Sequence, residues 1–264
     1  MAPSRAVIWS PEMAAFEVRV GIVNVGLDGI TAHERLGFMA LAAARLHDGA
    51  YQVPMKPLAE VVPERDLAAY LAPGPDLDFD HPQVAQLAQA LRCATPEQTA
   101  RACFDWVRDR IPHVVDAGRD DMPCSASETL AAGTGLCHAK SHLLVALLRA
   151  NGIPAGLGYQ RLTWDGPLPP HCLHGFVAVW LAEHGWYRCD ARGNTRSGVD
   201  ARFTPGVEHL AFLTCHPGEH TCPQIHAQPL PELVARLRAC TSLADYLRQP
   251  IDLQLPEWQP LSLA

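Results

Sequence analysis

The fold is decided by one stretch of sequence, Gly135-Leu136-Cys137-His138-Ala139-Lys140-Ser141, which places a cysteine at the start of a predicted helix. Apolar residues recur at helical spacing over 143–148, and Asn151-Gly152 ends the pattern, so we predict a helix over 137–151. The free N–H groups and the dipole of a helix N-terminus lower the pKa of a thiol and can hold an oxyanion during acyl transfer. Taken alone, Cys137 is more typical of a small buried core residue than of a nucleophile.

A histidine and an aspartate follow on two predicted strands. The apolar run 175–181 predicts a buried strand with His174 at its entrance, and Glu183-His184-Gly185 predicts a hairpin turn. The returning strand is predicted over Trp186 to Cys189, and Asp190 follows it. A three-residue turn that pairs residue 182 with 186 points the side chains of His174 and Asp190 to one face of the sheet. A carboxylate on one imidazole nitrogen fixes the tautomer that a general base needs.

The same register nevertheless separates the two side chains along the strands. It sets Asp190 opposite Ala178, roughly 13 Å from His174, and it sets Asn194 directly across from His174. Either a bulge or a longer loop shifts the register, or Asn194 orients the imidazole, as an amide does in Cys-His-Asn enzymes. The spacing leaves both alternatives open.

Taken together, these segments resemble the core signature of the transglutaminase-like superfamily, whose members have a papain-like cysteine-enzyme fold. The resemblance covers roughly residues 76–205. It rests on Gly-x-Cys before a helix, the helix end Leu148-Arg149-Ala150-Asn151-Gly152-Ile153-Pro154-Ala155, His174-Gly175-Phe176, and Gly185-Trp186 followed by Asp190. The family often has His-Ala-Trp where this chain has His-Gly-Phe.

The resemblance implies both a fold and a set of roles. The expected fold is α+β, a papain-like, transglutaminase-like core in which the nucleophile helix packs on an antiparallel sheet, with helical N- and C-terminal additions. Carried over residue by residue, it makes Cys137 the nucleophile and His174 the base and acid. It makes Asp190, rather than Asn194, the orienting group.

The family includes crosslinkers, proteases, amidases, deglycosylating enzymes and inactive relatives. We expect cysteine-dependent acyl transfer or hydrolysis of an amide or peptide bond through a thioester. Hydrolysis is favoured over crosslinking, because no segment is recognisable as a site for an acceptor amine. No cofactor, calcium or catalytic metal is expected. A catalytically inactive papain-like binding or scaffold protein is the alternative from another class.

The composition of the chain limits the classes of binding partner and the cellular location that we expect. The chain has 264 residues, of which 48% are hydrophobic and 19% charged, and its formal net charge is −7. This charge, without a basic run, argues against a nucleic-acid partner, and no apolar stretch predicts a membrane span. The nine cysteines show no spacing typical of a disulfide framework, and no secretory leader is recognisable. We therefore expect the protein to lie in the reducing cytoplasm. The expected substrate is a peptide, a protein or a small amide, and the oligomeric state is not indicated.

The chain is expected to divide near residue 55. Residues 1–55, with a strand-like run at 16–25 and a helix at 33–46, lie outside the resemblance and are either a packed appendage or an upstream misreading of a start at Met55. Residues 56–264 form the transglutaminase-like domain. Further helices are predicted at 82–91, 96–110 and 231–247.

A second group of residues is a candidate zinc site, and a zinc-binding protein built on it is a further alternative function. Within 215–226 the chain carries Cys215, His216, His220, Cys222 and His226, all possible zinc ligands. Because Pro217-Gly218 disfavours a regular helix there, a variable loop is the favoured interpretation.

Three predictions concern the surroundings of the thiol. Lys140, one helical turn past Cys137, is expected to be a solvated side chain rather than a partner of the thiolate. His171 and Cys172 are expected to be lip residues of the site rather than metal ligands, and with Trp164 they are expected to shape the acyl-binding cleft.

Overall fold

The computed structural model describes residues 61–164, 166–195 and 199–254. The predicted appendage 1–55, with its strand and its helix, lies outside the described residues, so the division of the chain stays a prediction. The helices are α1 (Pro82–Ala90), α2 (Pro96–Arg110), α3 (Val114–Ala117), α4 (Ala126–Ala132), α5 (Cys137–Ala150), α6 (Pro231–Ala239) and α7 (Leu243–Arg248). The strands are β1 (Val62–Pro63), β2 (Ala155–Thr163), β3 (His171–Leu181), β4 (Gly185–Cys189), β5 (His220–Thr221) and β6 (Gln224–Ile225).

Helix α5 is the central element. Every residue from Cys137 to Arg149 is buried, which is expected of a helix that is covered on all sides. It packs against β2 and β3 on one side and against α1, α2 and α4 on the other. The helix spans the predicted residues to within one position at its C-terminal end, where Gly152 with φ 72° turns the chain into β2.

The sheet has the strand order β4-β3-β2-β5, and all its pairs are antiparallel. Leu157, Val177 and Val179 belong to the main core with α5, whereas Phe176 and Ala178 belong to a second cluster on the opposite face. Gly158 lies opposite Phe176, and a Cβ there would lie 2.2 Å from its ring, so the position requires glycine. The predicted α+β class, with the cysteine helix on an antiparallel sheet and helical additions, is confirmed.

The register of the hairpin between β3 and β4 differs from the predicted one. Leu181 pairs with Gly185, so the loop is 182–184 and not 183–185. Gly185 has φ 70°, a conformation that glycine adopts freely at the end of a three-residue loop. The shift places Asp190 beside Phe176, two residues from His174 instead of four, and removes the separation that the predicted register imposed.

The prediction of one C-terminal helix over 231–247 is also wrong, because the structure has two helices there. Helix α6 ends at Ala239, Cys240 is extended, and Ser242 begins α7 as its N-cap, accepting a hydrogen bond from the Asp245 amide at 3.1 Å. A serine N-cap accepts a hydrogen bond from a free amide in the first turn of a helix. The interior of a continuous helix has no such free amide, so the cap marks the start of a second helix. In the described part of the chain, no helix is long and apolar enough to cross a membrane.

Candidate active site

Cys137 is the first residue of α5, and its thiol lies at the edge of β3. The Gly175 amide donates a hydrogen bond to the Cys137 Sγ at 3.5 Å. That amide is available because β4 pairs with β3 only from Val177 onward. The helix comes this close because Gly175 has no side chain: a Cβ would lie 3.0 Å from the His138 Cδ2 and 3.3 Å from the His138 Cα. The departure from the family's His-Ala-Trp pattern therefore has a local packing reason.

His174 and Asp190 are in direct contact. The His174 Nε2 lies 2.7 Å from the Asp190 Oδ2, and the side chains are 5% and 1% exposed. Two backbone amides also hold the carboxylate: Ala211 donates to Oδ2 at 2.9 Å and Arg192 donates to Oδ1 at 3.0 Å. Asp190 is thus fixed by three donors, and one of them is the imidazole.

Asn194 does not contact His174. Its Oδ1 accepts from the Ala201 amide at 2.6 Å, and its Nδ2 donates to the Ala201 carbonyl at 3.3 Å. This side chain therefore ties two parts of one loop together. Of the two alternatives that the sequence left open, the structure brings Asp190 to the imidazole.

The thiol and the imidazole of His174 favour each other's charged forms. Burial alone would raise the pKa of the Cys137 thiol, but the charges of His138 and His174, with hydrogen bonds from His113 and His138, lower it well below its usual value. Burial alone would likewise lower the pKa of His174, but the negative charges of Asp190 and Cys137 raise it to about 10. Both shifts therefore favour the ion pair, a thiolate beside an imidazolium, over the neutral pair.

Sequence reasoning missed two further histidines at the sulfur. The ring nitrogens of His138 lie 3.7 Å and 4.0 Å from the Cys137 Sγ, and its position next to the cysteine was a visible signal. Hydrogen bonding from His113, 24 positions upstream, also lowers the pKa of the thiol, and no motif connects the two residues. The His113 backbone is aligned with Gly135 in a parallel bridge, which carries its side chain to the start of α5.

The prediction of a solvated Lys140 is wrong. Its side chain is 1% exposed, and its Nζ donates to the backbone carbonyls of Val107, at 3.2 Å, and of Ile111. These carbonyls lie at the C-terminal end of α2, where the Val107 carbonyl also accepts from the Ile111 amide at 3.3 Å. Because α5 is covered on all sides, its lysine has no route to water, and burial lowers the pKa of Lys140 to about 7.

A short segment of chain, residues 209–213, covers His174 on the side away from α5. The Phe212 ring meets the His174 ring edge-on, with the centroids 5.0 Å apart, and the Arg192 guanidinium lies 5.6 Å from the Phe212 centroid. The Gln160 Nε2 donates to the Phe212 carbonyl at 3.2 Å. The imidazole is therefore enclosed by Asp190, by this segment and by the thiol.

A cavity of about 610 Å³ opens beside the start of β3, and Trp164 and His171 are among its lining residues. His171 lies three residues before His174 on the same strand. The Trp164 ring packs edge-on against Tyr246 at 5.7 Å. Trp164 and His171 thus border a cavity that Cys137, His174 and Asp190 do not line, and their role at the site stays a prediction.

The 215–226 segment is held together by a carboxylate. Glu219 accepts hydrogen bonds from the amides of Cys215 and His216 at 2.8 Å and 2.9 Å, and from the Thr163 amide and hydroxyl at 2.9 Å and 2.7 Å. Within residues 61–164, 166–195 and 199–254, no group of three or more His, Cys, Asp or Glu side chains is arranged to hold a metal ion.

Comparisons with known proteins agree with this core. Residues 85–191 match the family model of the transglutaminase-like superfamily. No curated protein matches the chain. Among solved structures, a candidate cysteine protease from Cytophaga hutchinsonii is 24% identical over 50% of this chain and 45% of its own, with a TM-score of 0.39. The periplasmic domain of TgpA from Pseudomonas aeruginosa is 20% identical over 48% of each chain, with a TM-score of 0.36.

A further solved structure, of a TGase, is 12% identical over 79% of this chain and 44% of its own, with a TM-score of 0.34. The chain therefore spans less than half the length of each of these three proteins.

Proposed function

Because the chain carries a transglutaminase-like core at residues 85–191, we propose that it is a cysteine enzyme that hydrolyses an amide or peptide bond through a thioester on Cys137. His174 transfers the proton and Asp190 orients the imidazole. The observation that carries the proposal is the contact of the His174 Nε2 with the Asp190 Oδ2 at 2.7 Å, on an imidazole that also bonds to the thiol.

The arrangement fits nucleophilic catalysis for a physical reason. A thiol is a good nucleophile only as a thiolate, and the lowered pKa of Cys137 beside the raised pKa of His174 makes the thiolate the resting form. The same imidazolium is the acid that an amine leaving group needs. One ion pair therefore supplies both the nucleophile and the proton of the first step.

In the first step the Cys137 thiolate attacks the carbonyl carbon of the substrate. The S–C bond forms, the π electrons move to oxygen, and the tetrahedral intermediate then breaks its C–N bond. The leaving amine takes the proton from His174, so the products are a thioester, an amine and a neutral imidazole.

In the second step a water molecule attacks the thioester and gives its proton to His174. The C–S bond breaks, the acid leaves, and the thiolate–imidazolium pair is restored. Water is favoured over an amine because Cys137 and His174 are each about 95% covered, at 5% and 4% exposure. Water reaches such a site without a binding surface of its own, whereas a lysine side chain needs one.

The test uses p-nitrophenyl acetate, an activated ester that acylates a thiolate without a specific substrate site. We expect intact-protein mass spectrometry to find one acetyl group on the wild-type protein, on Cys137, and release of it by water faster than transfer to added lysine amide. Cys137→Ser and His174→Ala lose the adduct, and Cys93→Ser, which changes an exposed thiol remote from the site, retains it.

Two results would count against the proposal. A wild-type protein that is acylated no faster than Cys137→Ser indicates the inactive scaffold. An acetyl group that passes to lysine amide in preference to water indicates an acyltransferase instead of a hydrolase.

A further inference from the structure

Three side chains form a row across one face of the sheet, and His174 is one of them. Gln160 of β2 lies opposite His174 of β3, and Thr221 of β5 lies opposite Gln160. Residues paired in this way point to the same side of a sheet, with their Cβ atoms about 5 Å apart. The proposed reaction uses His174 but gives no task to its neighbour Gln160, a polar side chain that is only 1% exposed.

The amide of Gln160 is oriented by the groups that it contacts. Its Nε2 donates to the Phe212 carbonyl at 3.2 Å and to the Thr221 hydroxyl at 2.9 Å. Because a carbonyl oxygen only accepts, the amide nitrogen must face Phe212. The buried Oε1 has no hydrogen-bond partner among the described residues. A buried amide that is satisfied only in part adds little to stability, so the contact with Phe212 points to a task other than folding.

We propose that Gln160 is a positioning residue for His174 and acts through Phe212: its amide holds the 209–213 segment against the imidazole, which keeps the ring aligned with the thiol. The inference rests on the proposed function, because it concerns the same base and acid. Two sets of contacts carry it: those of the segment with His174 and Asp190, and those that hold the segment on the sheet.

The 209–213 segment contacts both members of the His174–Asp190 pair. The Phe212 ring meets the imidazole edge-on, with the centroids 5.0 Å apart and the ring planes at 89°. The Ala211 amide donates to the Asp190 Oδ2 at 2.9 Å, and the same oxygen lies 2.7 Å from the His174 Nε2. A displacement of this segment therefore frees one side of the imidazole and takes a donor from its carboxylate partner.

The segment is held on the sheet at both of its ends. At His209 its backbone pairs with Cys189, the last residue of β4, in a parallel bridge. At the other end the Phe212 carbonyl accepts from Gln160, and the Phe212 ring lies 5.6 Å from the Arg192 guanidinium. Without the Gln160 amide, this end of the segment loses the hydrogen bond that joins it to β2.

The alignment of the imidazole matters most in the second step of the proposed reaction. There His174 must take a proton from the attacking water, and a general base works only when its nitrogen faces that proton. Asp190 fixes one nitrogen of the ring, and Phe212 limits the tilting of the ring about that contact. Alkylation of the thiolate by iodoacetamide, in contrast, needs no proton transfer to His174.

The experiment follows the acetyl-enzyme that p-nitrophenyl acetate forms. Gln160→Met keeps the length of the side chain and removes the donor. We expect release of the acetyl group by water to slow by about 10-fold, a part of the roughly 10²–10⁴-fold that a general base contributes. The alkylation rate and the thermal unfolding temperature should stay near their wild-type values. Thr221→Val is the matched control, because it removes the other acceptor of the same amide, and it should release acetyl at the wild-type rate.

A second variant tests the route through Phe212. Phe212→Leu removes the half-buried ring and should slow acetyl release at least as much as Gln160→Met. The double variant should be no slower than Phe212→Leu alone, because the effects of two residues that act through one contact do not add. Phe212→Leu also serves where Gln160→Met does not fold.

Each contrary result overturns the inference. Acetyl release at the wild-type rate in both single variants shows that the segment does not align His174, and faster release shows that it only keeps water out. Parallel losses in alkylation, acetyl release and thermal unfolding show a structural role alone. Additive effects in the double variant exclude the route through Phe212. If the wild-type protein never acquires an acetyl group, the proposed function fails first, and the positioning role fails with it.

Discussion

Replacement of Asp190 by Asn tests how the imidazole is held. The Asp190 carboxylate accepts from three N–H groups, those of His174, Ala211 and Arg192. An asparagine has only one acceptor oxygen. Whichever way its amide is turned, its NH₂ group faces a backbone N–H at 2.9 Å or 3.0 Å. The variant therefore loses the charge beside His174 and also gains a donor–donor contact.

The pKa of His174 gives the size of the effect. It lies at about 10 against an ordinary value of 6.5. At about 1.4 kcal/mol per pKa unit, the interactions that hold the proton on His174 amount to roughly 5 kcal/mol. Asp190 is the larger of the two charges that raise this pKa. Assigning it roughly half of the energy gives a loss of about 2–3 kcal/mol, which corresponds to a fall of about 100-fold in the equilibrium constant that favours the thiolate–imidazolium pair over the neutral pair.

The assay is iodoacetamide alkylation of Cys137 at neutral pH, followed by mass spectrometry of the labelled peptide. We expect Asp190→Asn to react more slowly than wild type, by up to about 100-fold, because the reactive thiolate fraction falls by at most the factor lost from the ion-pair equilibrium. Asn194→Ala is the matched control, since its amide bonds only to Ala201 in the structure, and it should react at the wild-type rate. If Asn194→Ala is slow and Asp190→Asn is fast, Asn194 is the orienting residue and the reasoning is refuted.

Three other substitutions have defined outcomes. Gly175→Ala sets a Cβ 3.3 Å from the His138 Cα, so we expect a loss of about 1–3 kcal/mol in the free energy of unfolding and slower alkylation of Cys137. If neither the stability nor the alkylation rate changes, the close approach of β3 and α5 is contradicted. Between pH 7 and 10.5 Lys140 keeps its proton in the unfolded chain but has lost it in the folded protein, so its contribution to the free energy of unfolding rises with pH. Lys140→Met should remove that rise when unfolding by denaturant is measured across this pH range. If the variant and the wild type have the same pH dependence, the argument from burial is contradicted. Trp164→Ala enlarges the cavity beside β3 and should raise KM for amide substrates while the rate of Cys137 alkylation stays unchanged. If KM is also unchanged, Trp164 is not part of the substrate site.

The elements that the sequence predicts best are those with strong local signals. Helix α2 spans the predicted 96–110, because Pro96 opens it, Thr95 caps it, and Pro112 prevents its continuation. Helix α5 is likewise bounded by glycine on both sides. The strand that contains His174 was predicted from its apolar run, although it begins four residues earlier, at His171.

The errors arise where position depends on contacts that are remote in sequence. A shift of one residue in the loop 182–184 changes which residue of β4 lies near His174, and no local propensity fixes that choice. Lys140 was expected in solvent because lysine is rarely buried. The carbonyls of Val107 and Ile111 that accept its hydrogen bonds come from another helix.

His113 lies beyond pattern reasoning for the same reason. It follows the end of α2 and stands 24 positions before the cysteine, without a spacing that indicates shared chemistry. Only the pairing of its backbone with Gly135 brings it to the sulfur. Motifs in the sequence therefore yield the proposed nucleophile and the proposed base, whereas the tertiary fold supplies the groups around them.

The central claim is that the Cys137 sulfur is a thiolate at neutral pH, and its ultraviolet absorbance measures this directly. A pH titration of wild type minus Cys137→Ser, starting from acid, should reveal one additional thiolate already present at about pH 7 and lost only in more acidic solution. If that thiolate forms only above about pH 8, as in an ordinary cysteine, the ion pair with His174 does not exist and the account is wrong.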